Sequence, residues 1–134
     1  MHYFTFAEKD TTLYERSGSR NTGLDEILEI RKDKNANAST INVSRALIKF
    51  DLTTLSNYIT SGLITSGSST RFYLNLFDAN STGLSTSQTL YSYPVSQSWE
   101  NGSGREDSNP QISDGCSWFY KDNDISKTLW ANVT

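Results

Sequence analysis

One cysteine, one histidine and two prolines in 134 residues set narrow limits on the chemistry of this chain. A lone Cys116 excludes an internal disulfide and a cysteine-based zinc site, and its ordinary role is that of a small buried apolar residue. His2 lies at the terminus, so a Ser- or Cys-centred triad would lack a base titrating near neutrality. Lys and Arg total 12 against 15 Asp and Glu, a net charge of −3, and the basic residues are scattered. They form no track for phosphates, and nucleic acid is not an expected partner. No apolar run is long enough to cross a membrane, and the opening MHYFTFAEKD carries no basic leader. The expected setting is therefore a cytoplasm, at least initially, with no membrane partner.

What is present is polar but not disordered. Hydrophobic residues make up 35% and charged residues 20%, yet 12% of the chain is aromatic, too much for a chain unable to bury a core. Ser, Thr and Asn together account for roughly a third of the residues, well above ordinary usage. This composition suits a turn-rich all-β protein better than a helical enzyme, and the length fits one domain over residues 1–134.

Hydrophobic periodicity supplies the elements. SRALIKFDL places Ala46, Ile48, Phe50 and Leu52 on one side of an extended chain and Arg45, Leu47, Lys49 and Asp51 on the other, the alternation of a strand with one buried face. A weaker alternation predicts an opening strand over residues 11–15, followed by turn chemistry in RSGSRNTG. LDEILEIRKD reads as a strand, being too short between its flanking turns for a stable helix. TTLSNYITSG predicts one short helix over residues 53–62, with Gly62 as its stop. RFYLNLFDAN alternates on both faces, like a central strand. TLYSYPVSQSW reads as a further strand, with Pro94 marking an edge or a bulge. ENGSGREDSNPQISDG is a long polar loop, and CSWFYKD closes the pattern as a short strand.

Few constellations carry chemistry. The paired carboxylates Glu106 and Asp107, or Asp122 and Asp124, have the residue types of glycosidase chemistry, but in polar loops such pairs ordinarily stay solvated. Asp122, Asn123 and Asp124 match the start of a calcium loop without its later Gly and distal Glu, so Ca2+ stays an open option and no other cofactor is expected. Tyr91, Tyr93, Trp99, Trp118 and Tyr120 have the makings of sugar-binding platforms, although aromatic side chains in so short a chain usually anchor the core or loops. Asn-x-Ser/Thr triplets at Asn37, Asn42, Asn80, Asn101 and Asn132 follow from composition and support no inference.

Taken in order, KDTTLYE, NTGLDEILEIRKD, SRALIKFDL, YPVSQSWENGSG and GCSWFY resemble the DNRLRE-type β-sandwich domains, relatives of carbohydrate-binding-module jelly rolls. The matching positions are Asp10, Leu28 to Arg31, Arg45 with Ala46 to Leu52, Trp99 with Glu100 and Gly102, and Gly115 to Trp118. The version seen here is similar to virion structural proteins of large contractile-tailed marine phages. The resemblance implies a jelly-roll-like β-sandwich with at most one short helix, and no enzymatic activity. It implies a role in neck, tail, baseplate, fibre or capsid decoration through assembly with other virion proteins, in a protein made in the host cytoplasm and located in the virion. A carbohydrate-binding or adhesion module recognising host surface glycan is the alternative, with Tyr91, Tyr93 and Trp99 as its contacts.

On that pattern Ile48, Phe50, Leu52 and Trp118 are core, Arg45 and Asp51 tie down loops at the strand ends, and Leu47 and Lys49 face outward. Domains of this kind continue past the Trp strand, whereas this sequence ends at TLWANVT. The expectation is a sandwich lacking its last strands, part of a longer chain or completed by a neighbour, with a homo-oligomer as the natural host.

Overall fold

The structure, a computed structural model, describes residues 2–34, 39–65, 67, 70–79, 87 and 89–131. Its regular elements are strands β1 (Ala7–Tyr14), β2 (Lys32–Lys34), β3 (Ile41–Phe50), β4 (Tyr120–Asp122) and β5 (Thr128–Leu129), and helix α1 (Thr53–Thr60). Two small antiparallel sheets form, one ordered β1-β3-β2 and the other β4-β5. The all-β class with one short helix therefore holds. Within the single domain expected from the sequence, residues pack as two compact units: Met1–Phe6 with Asp51–Pro94, and Ala7–Phe50 with Val95–Thr134.

The strongest alternation in the sequence became the longest strand. β3 lies between β1 and β2, and its register with β1 sets Leu47 opposite Thr11, Arg45 opposite Leu13 and Lys49 opposite Lys9. Opposed residues of an antiparallel pair share a face. Leu13 is buried on that face, and Leu47, Trp118 and Trp130 pack against its cluster with Trp99 and Cys116. The apolar cluster thus lies on the face bearing Leu13 and Leu47, whose Arg45 and Lys49 are exposed, while the opposite face buries Thr12, Tyr14 and Ser44. Ala46, Ile48 and Phe50 are half-buried on the opposite face, and Leu52 is 51% exposed.

Aromatic contacts place the cations of the Leu47 face. Two of the cations on this face carry aromatic cover: Lys9 Nζ lies 4.6 Å from the centre of the Trp99 ring, and the Arg45 guanidinium lies 4.6 Å from that of Trp118. Cation–aromatic contact lets long basic side chains border an apolar cluster while their stems pack against its surface. Arg45 accordingly works from the middle of β3, not from its end.

β3 stops at Phe50. Asp51 Oδ1 accepts the Thr53 N–H at 2.9 Å, satisfying one of the free donors at the start of a helix. α1 closes at Gly62, where φ is +74°, and the Gly62 and Ile64 N–H groups return to the carbonyls of Ile59 and Tyr58. That left-handed position favours glycine.

Three predicted strands form no ladder among the described residues. Residues 24–31 form no ladder, because side-chain hydroxyls supply their partners. Glu29 N–H donates to Thr12 Oγ1 and Arg31 N–H to Ser44 Oγ, while Ser44 Oγ donates to the Glu29 carbonyl. Backbone bonds here are scattered, with Leu24 N–H donating to the Gly104 carbonyl and Ser44 N–H to the Arg31 carbonyl, and a ladder begins only at β2. Residues 71–78 have strand periodicity but pair with no strand among the described residues, and residues 89–98 likewise. The CSWFYKD strand begins later than expected, at Tyr120.

The placement of the core is open to a direct check. Leu13→Ala is expected to cost about 2–5 kcal/mol through lost transfer energy and cavity formation, and Leu52→Ala under about 1 kcal/mol because its side chain is already half in water. Urea denaturation of the two variants decides the matter. A larger loss at Leu52 would put the core on the other face of β3.

Candidate functional site

A single amide organises the long polar loop. Asn21 Nδ2 donates to the Asn101 carbonyl at 2.6 Å and to the Cys116 carbonyl at 2.8 Å. Its Oδ1 accepts the N–H groups of Gly23 at 3.1 Å and Gly104 at 2.8 Å. Both donors and both lone pairs of the side chain are used, and the residue is fully buried. Gly102, with φ at +79°, permits this approach: a Cβ there would stand 2.5 Å from the Asn21 amide atoms. Asn101 Nδ2 donates in return to the Gly23 carbonyl. The loop is bonded as tightly as any strand, and it delivers Trp99 and Cys116 to the face of β1 and β3.

The carboxylate candidates are dispersed by this framework. Glu106 takes its N–H to the Asp25 carboxylate and places Oε1 3.5 Å from Arg20 Nη1. Asp107 is exposed. Asp122 Oδ1 accepts the Asp124 N–H at 3.0 Å, an Asx turn. Among the described residues, no three His, Cys, Asp or Glu side chains gather where a metal ion would be held. A depression lined by Tyr14, Arg16 and Arg31 measures about 10 Å³, room for a water at most.

The five aromatic candidates separate cleanly. Trp99 is 5% exposed, with Lys9 over its ring and Lys9 Nζ bonded to its carbonyl, so it is unavailable to a glycan. Trp118 lies under Arg45, and Tyr120 meets Phe119 edge-on at 6.4 Å. Only Tyr91 and Tyr93 stand open, 78% and 76% exposed, with ring centres 6.4 Å apart and planes 19° from parallel. That spacing follows from two residues of extended chain, which put alternate side chains on one side.

The surface that sequence reasoning missed is the run 71–78. Phe72, Tyr73, Leu74, Leu76 and Phe77 are all at least half exposed, Phe77 at 94%. The run contains no helix, turn or bend. Its alternation was the available signal, and it was taken for a strand already covered on both sides. Aromatic and apolar side chains gathered this way in water mark an interaction surface.

No family model matches the chain, and no curated protein or solved structure matches it either.

The fold alters the titration of Cys116 and Tyr14. Burial pushes the Cys116 thiol up from 9.0 to about 12. Burial, and then the hydrogen bond from its hydroxyl to Glu29, raise Tyr14 above its ordinary value. The fold therefore holds both protons more tightly than the unfolded chain does. The stability this contributes is fully present below pH 9 and is lost as pH climbs toward 12, at about 1.4 kcal/mol per pH unit for each group that ionises only when unfolded. Chemical denaturation between pH 8 and about 11 should show that decline, and Cys116 should resist thiol reagents until unfolding. Separately, Asn21→Ala removes four buried hydrogen bonds, and a loss of roughly 3–5 kcal/mol is expected by the same measurement at neutral pH. A loss below about 1 kcal/mol would show that the loop holds itself.

Proposed function

We propose that this chain is a non-enzymatic structural protein of a phage virion, acting through protein–protein assembly. The observation that carries the reading is the exposed run 71–78, apolar and strand-like yet without a partner strand among the described residues. Such a run is stabilised when another chain supplies the missing pairing. The ordered motifs from KDTTLYE to GCSWFY supply the virion context through their resemblance to DNRLRE-type domains. A jelly-roll-like β-sandwich is the finer description we propose for the two small sheets. On this reading the partners are other virion proteins, copies of the chain itself among them, and the protein passes from the host cytoplasm into the virion. Neither nucleic acid nor a membrane is engaged, and no cofactor is required.

The Tyr91–Tyr93 pair favours a second reading, a module that recognises host surface glycan. Two open rings facing the same way offer stacking surface for a sugar, although Trp99 no longer contributes.

Quantitative mass spectrometry of purified virions, with cross-linking, tests the first reading. A fixed copy number and reproducible cross-links from residues 71–78 are expected. Absence from the particle would overturn it. A glycan array tests the second: specific binding lost in both Tyr91→Ala and Tyr93→Ala would support it, and no binding would remove it.

A further inference from the structure

Asn101 precedes Gly102 in the only Asn-Gly pair of the sequence. Such a pair can modify itself. The Gly102 backbone nitrogen attacks Asn101 Cγ, the side-chain nitrogen leaves as ammonia, and a cyclic imide closes. Water then opens the imide at either carbonyl, giving aspartate or an isoaspartate whose backbone runs through the former side chain. Glycine favours closure because no Cβ crowds the attacking nitrogen.

The loop held by Asn21 opposes each part of that step. Closure builds negative charge on Asn101 Oδ1, and an oxyanion forms readily only where donors await it. Asn101 Oδ1 is buried and has no hydrogen-bond partner among the described residues. The nitrogen that must leave donates to the Gly23 carbonyl at 2.6 Å. The Asn101 main-chain carbonyl, which becomes part of the ring, accepts Asn21 Nδ2 at 2.6 Å. The attacking nitrogen is covered as well, since a Cβ on Gly115 would stand 2.5 Å from it. In an opened chain these restraints are gone, and water supplies the donors.

The products fit the loop poorly. An aspartate at 101 turns one oxygen toward the Gly23 carbonyl, acceptor against acceptor, and leaves the other where Oδ1 has no partner. A buried charge without partners is among the costliest changes a fold can meet. An isoaspartate adds a methylene to the backbone beside Gly102, where even a Cβ would stand 2.5 Å from the Asn21 amide.

We propose that Asn101 is a self-modifying site gated by this loop. It keeps its amide while the loop is closed and loses it when the loop opens. As an acid it bars the loop from closing again, so that a passing opening becomes permanent.

The intact 134-residue chain tests this across a guanidinium chloride series in mildly alkaline buffer. Peptide mass mapping reads amide loss at Asn101, and a thiol reagent reads exposure of Cys116. Cys116 is fully buried and its carbonyl is held by the same Asn21 amide, so both signals report one opening. Amide loss should be roughly tenfold or more slower in buffer than in full denaturant, and both signals should rise together in between. Equal rates in buffer and in denaturant would overturn the gate. So would amide loss at denaturant concentrations that leave Cys116 closed. Return to buffer after long incubation in denaturant tests the irreversibility. Chains that close over Cys116 should retain Asn101, and modified chains should keep a reactive thiol. Modified chains that close over Cys116 as readily as unmodified ones would overturn the bar to reclosing.

Discussion

The side-chain amide of Asn21 is the contact on which the larger unit depends. Three of its four hydrogen bonds join chain segments some eighty to ninety-five residues apart in sequence, and the fourth holds Gly23. Its neighbour extends the tie. Thr22 Oγ1 accepts the Thr12 N–H and donates to the Thr12 carbonyl, and it lies 3.2 Å from Thr11 Oγ1. Residues 21 and 22 therefore bolt the polar loop to β1 from one side, while Cys116 and Trp99 close on it from the other. A fully satisfied buried amide is a strong device for specificity, because any misplacement strands several polar groups at once.

The same economy governs the charged face of the sheet. Lys9 and Lys49 stand directly opposite each other, an unfavourable arrangement unless each finds its own counter-charge. They diverge. Lys9 turns to the Trp99 ring and carbonyl, with Glu100 at 4.0 Å, and Lys49 turns to Glu8 at 3.2 Å. Leu47 and Thr11 form the next pair along that face, and Leu47 packs against the apolar cluster.

Much of the local structure was legible in the sequence. β3, α1 and the opening strand follow from alternation, helical spacing and the Gly62 stop. Cys116 sits where a lone cysteine ordinarily does. The packing of Leu47 against the apolar cluster was not legible, since periodicity separates two faces without saying which one receives aromatic cover. Residues 24–31 misled because extended chain can bond to Ser and Thr hydroxyls in place of a neighbouring strand. At the candidate site, Tyr91 and Tyr93 keep their exposure, whereas Trp99 is withdrawn by Lys9, a partner ninety residues away that no local pattern reveals. Residues 71–78 misled because their pattern announces a strand without naming its partner.

The interior of this protein is built largely from polar side chains. Among the described buried positions, Thr11, Thr12, Asn21, Thr22, Ser44, Ser117 and Asn123 stand beside only Leu13, Tyr14, Trp99 and Cys116 as apolar members. Exposing apolar surface raises the heat capacity of a chain and exposing polar surface lowers it. Unfolding should therefore carry a heat-capacity increment below the usual value of about 12–15 cal/mol/K per residue. A small increment flattens the curve of stability against temperature and moves its two zero crossings apart. A core rich in threonine, serine and asparagine thus gives a flatter dependence of stability on temperature than a greasier core of the same size would.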